Sequence, residues 1–127
     1  MVKPSQDVTA AELAILEQLW EHGSASCKDL SQWLYGASTP SDIATVQKLL
    51  SRLEAKECVG RDRETWPHLF HAAIEREDLI SRRLQATADE LSDGTLASLI
   101  THLVRSSKLS SKQRQRLRET LDEMDRP

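Results

Sequence analysis

Aromatic side chains are scarce in this sequence: three Trp, one Tyr and one Phe among 127 residues. Any core must therefore be built mainly from Leu, Ile, Val and Ala. Cysteine is scarcer still. Cys27 and Cys58 stand apart, with no C-x-x-C spacing, which predicts a cytoplasmic protein with free, buried thiols. No apolar run is long enough to span a bilayer, so no membrane partner is expected. The opening MVKPSQDV has no apolar stretch behind its single Lys and does not read as a signal peptide. Positive charge is also short. Lys and Arg number 17 against 20 Asp and Glu, a net charge of -3 that gives no general attraction to nucleic acid.

Catalytic motifs are missing as well. There is no Walker loop, G-x-G-x-x-G, H-E-x-x-H or nucleophile elbow, so no catalytic residue, no enzyme activity and no cofactor is assigned. His68 and His71 are three apart on an expected strand, which places them on opposite faces and makes joint metal ligation awkward. His22, His102 and the cysteines are scattered. They read as ordinary surface or packed residues, and no metal ligand is assigned.

What is present is a series of helix starts. A chain of this length makes one compact domain or two small lobes, and 39% hydrophobic with 29% charged residues suits a helical, ordered protein. Thr9-Ala10-Ala11-Glu12 has the capping-box pattern, with Val8 and Leu13 placed for a hydrophobic staple. Leu13, Leu16, Leu19 and Trp20 follow at helical spacing, and His22-Gly23 ends the segment. Ser26 to Asp29 repeats the start signal for a helix through Leu30, Trp33 and Leu34 that stops near Gly36. Thr39-Pro40-Ser41-Asp42 opens a third, with Thr at the cap and Pro at the first helical position. After Glu57, CVGRDRETWPHLFHAAI holds two short runs, Cys58 to Arg61 and His68 to Ala72, around a polar tip. That is a hairpin pattern, with Trp66 expected to fold back onto the hairpin in preference to brushing sugar and phosphate as a wing tip. Three capped helices followed by a hairpin make a winged helix-turn-helix, so the expected fold is mainly α.

The third helix, SDIATVQKLLSRLE, carries the functional signal. At 100° per residue, Ile43, Val46, Leu49, Leu50 and Leu53 share one side. Ser41, Ala44, Lys48, Ser51 and Arg52 face the other way, flanked by Thr45 and Gln47. Short side chains interspersed with long donors suit a helix lying in the major groove. No acid interrupts this face between Ala44 and Arg52, and Arg61 and Arg63 would lie on the hairpin near a phosphate backbone. Many surface helices nevertheless oppose Lys and Arg to an apolar stripe. Residues 1–74 as a whole carry seven Lys and Arg against ten Asp and Glu. The residues therefore leave two readings open: a DNA-binding lobe that uses a local patch, or a winged-helix protein–protein interaction module without specific DNA binding.

From Glu75 onward the pattern is helical again. Ile80, Leu84, Ala88 and Leu91 recur at spacings of three and four, and Asp93-Gly94-Thr95 breaks the run. Leu96, Leu99, Ile100, Leu103 and Val104 form one apolar face; Ser110 to Gln113 caps a last helix bearing Leu117, Leu121 and Met124. Below about 70 residues a lone core is marginal, so these stripes need a partner, and a second copy of the chain fits. The expected organisation is a winged-helix DNA-binding domain over 1–74 and a helical dimerisation domain over 75–127. Ile80, Leu84, Leu99, Leu103, Leu117 and Leu121 would carry the dimer contact. The Arg-rich run Arg114, Arg116 and Arg118 alternates with Gln115 and Leu117 and precedes four acids, which reads as a solvated helix with cross-subunit ion pairs.

TAAELAILEQLWEHG, TPSDIATVQKLLSRLEAKECV, the hairpin ending in HAAI, and DGTLASLITHLVRSSKLS together resemble the penicillinase-repressor family (BlaI/MecI/CopY type) over Thr9 to Met124. The resemblance implies a homodimeric transcriptional repressor that reads a palindromic operator, with half-sites about one helical turn, roughly 34 Å, or a multiple of it apart. It implies Thr45, Lys48, Ser51 and Arg52 as the main groove residues. A sensor protease or other inducer system would be a further partner. Three positions depart from the family pattern. Lys56-Glu57 replaces the usual Lys-Gly, which puts a steric cost on any left-handed helix end. His102-Leu103 stands where some members are cleaved at Asn-Phe, and the C-terminal RETLDEMDRP lacks the cysteines of the copper-responsive branch.

Overall fold

The computed structural model describes residues 7–106 and 108–127; residues 1–6, most of the stretch read as lacking a signal peptide, lie outside them. The chain divides into two units, one ending at Arg83 and one beginning at Leu84. The first unit contains α1 (Ala10–His22), β1 (Ser24–Ala25), α2 (Cys27–Tyr35), α3 (Pro40–Ala55), β2 (Val59–Asp62) and β3 (Leu69–Ala72), and it takes in the first turns of α4 (Arg76–Leu91). This is a winged helix. Its core joins Ile15, Leu16 and Leu19 of α1 and Leu30 of α2 to Val46, Leu50 and Leu53 of α3, with Phe70 of β3, Ile74 and Leu79 of α4 in the same cluster.

The helix starts follow the capping chemistry. Thr9 Oγ1 accepts from the Glu12 amide while Glu12 Oε1 accepts from the Thr9 amide, and Ser26 and Asp29 repeat the exchange. Thr39 Oγ1 accepts from the Asp42 amide, with Pro40 at the first helical position. Val8 and Leu13, the staple pair, both belong to the core cluster. Trp33, expected along the packed side of α2, is instead exposed and stacked on His22 at 3.8 Å between ring centroids.

The sheet has three strands in the order β1-β3-β2, all antiparallel, where the hairpin pattern gave two. β1 is only two residues, Ser24 and Ala25, paired with His71 and Phe70. A segment that short has no periodicity to read. The hairpin strands lie within one residue of their expected starts and ends, and Gly60 pairs with His71. A Cβ at Gly60 would lie 2.5 Å from His71 Nε2, so the imbalance in this pair (no side chain opposite a ring) is what lets the imidazole lie across the strand.

The end of α3 resolves the Glu57 question. Glu57 takes φ 61, the left-handed region, despite its Cβ. The Cys58 amide donates to Leu53 O and the Glu57 amide to Glu54 O, the paired bonds of a Schellman end, and Cys58 and Leu53 are both buried behind it. The turn is retained because two hydrogen bonds and two core residues hold it. Glu57→Gly should therefore stabilise this unit by about 0.5–1 kcal/mol, the left-handed strain being only partly offset by the extra chain entropy of glycine. A raised denaturation midpoint followed by Trp fluorescence is the expected result; an unchanged or lowered midpoint would show that the turn is unstrained.

The second unit contains the rest of α4, then α5 (Leu96–Ser106) and α6 (Ser111–Met124). Asp93-Gly94-Thr95 breaks the chain as expected. Gly94 has φ 86, and Asp93 Oδ1 accepts from both the amide and the hydroxyl of Thr95. Those bonds hold the Asp93 carboxyl down at a pKa of about 2. Ser110 and Gln113 form the cap of α6. Ala88 is buried, but Leu84, Ile100, Leu103, Leu117 and Leu121 remain exposed and Leu99 is half-buried.

Candidate nucleic-acid interface

The apolar stripe of α3 seats the helix with its opposite side outward. Val46, Leu49, Leu50 and Leu53 are buried, while Ser41, Ala44, Thr45, Gln47, Lys48, Ser51 and Arg52 are all exposed. Ile43, placed on the packed stripe, is only half-buried and faces a groove instead. Thr45 donates its hydroxyl to Ser41 O, which leaves its methyl group as the free apolar surface on this face.

Four acids of the lobe are occupied elsewhere. Glu12 is fully buried and accepts two hydrogen bonds from Lys56 Nζ, at 2.6 and 2.8 Å. Burial pushes its carboxyl pKa upward, but the bonds from Lys56 and Thr9 outweigh that and hold it below the ordinary value. Asp29 serves the α2 cap, Asp62 accepts from the Glu64 amide, and Glu54 pairs with Arg61. Among the described residues, Lys48 and Arg52 make no ion pair. An acidic lobe thus presents a helix face whose only charges are positive.

The wing differs from its sequence reading in two respects. Arg61 is half-buried, with its guanidinium over the Phe70 ring at 4.8 Å and its charge held by Glu54 on α3. It braces the wing against α3. Arg63 is the outward cation, 68% exposed and 3.9 Å from the other Glu54 oxygen. Trp66 does not fold onto the hairpin. It is 86% exposed, its ring edge-on to His68 at 5.0 Å. Between the start of α2, α3 and the wing lies a groove of about 540 Å³. Lys28, Cys27 and His68 line it, and sequence reasoning assigned none of them to the site. Cys27, expected to be buried, is half-buried at this groove, and desolvation raises its thiol pKa. No linear pattern connects these residues; only the folded wing brings them together.

A family model described as Penicillinase repressor matches residues 8–123. The chain belongs to the penicillinase-repressor family. Two relatives, the penicillinase repressors of Bacillus licheniformis and Staphylococcus aureus, agree with this. The first is 25% identical over 96% of this chain and 94% of its own length. The second is 21% identical over 99% of each. The structure of BpsR of Bordetella bronchiseptica, whose DNA binding is regulated by 6-hydroxynicotinic acid, is 20% identical with a TM-score of 0.42, over 98% of this chain and 84% of that one. As a member of the penicillinase-repressor family, the chain is a DNA-binding transcriptional repressor. Among the described residues, no helix is long and apolar enough to cross a membrane.

Proposed function

We propose that the penicillinase-repressor chain acts as a homodimer, each protomer placing α3 in the major groove of one half of a palindromic operator. The observation that carries this reading is the outward face of α3, where Lys48 and Arg52 are exposed and make no ion pair among the described residues. Gln47, Lys48 and Arg52 reach base edges or phosphates. Ala44 and the Thr45 methyl meet thymine methyls, and Ser41 and Ser51 allow close approach. Arg63 contacts phosphate from the wing, and Arg61 holds the wing in place to do so. An inducer system, a sensor protease or another, would release the operator.

The test is a binding series with the gene's own upstream DNA at increasing salt. Specific binding should fall steeply with salt and exceed binding to random duplex by at least about a thousandfold. No binding at low salt would instead favour a protein–protein interaction module.

Dimerisation falls to the helices from α4 onward. α5 and α6 leave Ile100, Leu103 and Leu121 more than half exposed, an apolar surface that a second copy would cover; Leu84, Leu99 and Leu117 of the second unit, and Ile80 of the first, are the further residues expected to meet that copy. Leu103→Asp should give monomers in sedimentation velocity and weaken operator binding, because each monomer then reads a single half-site. A variant that remains dimeric would remove Leu103 from the contact.

A further inference from the structure

α4 crosses the division of the chain: its first turns, as far as Arg83, belong to the winged-helix unit, and the rest belongs to the second unit. The lobe grips those first turns along their length. Ile74, just ahead of the helix, takes a hydrogen bond from the Trp20 indole N–H on its carbonyl, and the Arg76 guanidinium lies 4.6 Å over the Trp20 ring. Leu79 is buried in the core. Arg83 Nη2 then donates to Val8 O at 2.6 Å, with its Nε 4.0 Å from Asp7 Oδ1. The Val8 side chain is itself buried, so this carbonyl is a fixed anchor.

The neighbouring carbonyl is held from the other side. Asp7 O accepts from Lys56 Nζ at 2.7 Å, and Lys56 is the residue that caps the end of α3. Two consecutive carbonyls thus take one cation from α3 and one from α4, across 49 and 75 residues of sequence. Both donors are charged, which puts these bonds in the stronger class. Asp7-Val8 is a strap that ties the end of α3 to α4. A dimer gains from its second half-site only if both copies of α3 arrive at the separation and angle the operator presents. α4 leads from the lobe into the dimerisation helices, so its direction relative to α3 enters that geometry. We infer that Arg83 is a positioning residue for half-site spacing, acting through Val8 and α4 and not through DNA. This rests on the two-site reading proposed above and names what sets its spacing.

The test uses the full chain and operator duplexes whose two half-sites, located by methylation interference, are left in place or separated by one or two added base pairs. Each added pair turns one half-site by about 34° and shifts it by about 3.4 Å. The parent should prefer the natural spacing by at least about thirtyfold. Arg83→Met removes the donor and keeps an apolar stem; the Arg83 side chain is 45% exposed, so the core should stand, which a thermal melt verifies. This variant should bind the natural operator roughly tenfold more weakly, with its preference among spacings reduced to within about threefold, because a looser α4 lowers effective concentration and admits other geometries. Its affinity for a duplex with one half-site should be unchanged. Arg83→Lys, which still reaches Val8 O with a charged donor, should restore most of the spacing preference. A Met variant with the parent's spacing profile would overturn the assignment. So would an equal loss on one-site and two-site duplexes with the preference retained, since that is damage within the lobe. If the parent binds every spacing alike, the two-site reading fails and this inference fails with it.

Discussion

Lys48→Ala combined with Arg52→Ala should reduce operator affinity by well over a hundredfold while leaving a folded dimer. Each good base or phosphate contact is worth about 1–3 kcal/mol, and a dimer loses four such side chains at once. The salt slope should fall by up to about four, because those cations no longer displace counterions. The fold should be unaffected. Both side chains are exposed and neither makes an ion pair among the described residues, while the core side of α3 is untouched. A variant that is folded, dimeric and bound to the operator with parental affinity would rule out α3 as the reading element. An equal loss of affinity for operator and random duplex, with operator preference retained, would reduce the two residues to phosphate contacts.

The second large effect concerns stability. Lys56→Met should destabilise the N-terminal unit by about 3 kcal/mol at neutral pH, since it leaves a buried carboxylate without its cation. Glu12 is wholly buried and Lys56 Nζ supplies two of its hydrogen bonds, with a third from Lys56 Nζ to Asp7 O tying down the chain ahead of α1. The pH dependence should change sign. In the parent, the Glu12 pKa is depressed on folding, so its contribution is present above the ordinary value near 4.5 and is lost as pH falls through the lower folded value. In the variant, burial acts without Lys56 and raises the folded pKa. Stability then falls as pH rises above the unfolded value. The gap between parent and variant should be wide at pH 7 and narrow towards pH 4, read from denaturant midpoints. A constant gap across that range would mean that Lys56 contributes packing and not charge.

These two sites were unequally visible in the sequence. The exposed face of α3 was legible because helical periodicity fixes which residues face together, and burial of Val46, Leu49, Leu50 and Leu53 leaves the rest outward. The caps at Thr9, Ser26, Thr39 and Ser110 were legible because each is a local hydrogen bond over three residues. Glu12 was visible only as part of its cap. Its partner Lys56 lies 44 residues away, and no local pattern encodes that contact. The same holds for Arg61, whose residue type suited a phosphate contact until folding placed Glu54 beside it. Trp66 was misread for a different reason. Apolar area usually folds inward, but at a six-residue tip between short strands there is no core within reach. β1 was too short to have a period, and Glu57 shows that a left-handed turn can be held by its hydrogen bonds without glycine.

The central claim is that two copies of α3 read two halves of one operator from the major groove. Methylation interference on the upstream DNA tests it most directly, because the methyl group is placed on guanine N7, a major-groove atom. Two clusters of interfering guanines related by a two-fold axis are expected, their centres about 10 base pairs or a multiple of that apart. A single cluster, or binding indifferent to N7 methylation throughout a guanine-containing footprint, would contradict it.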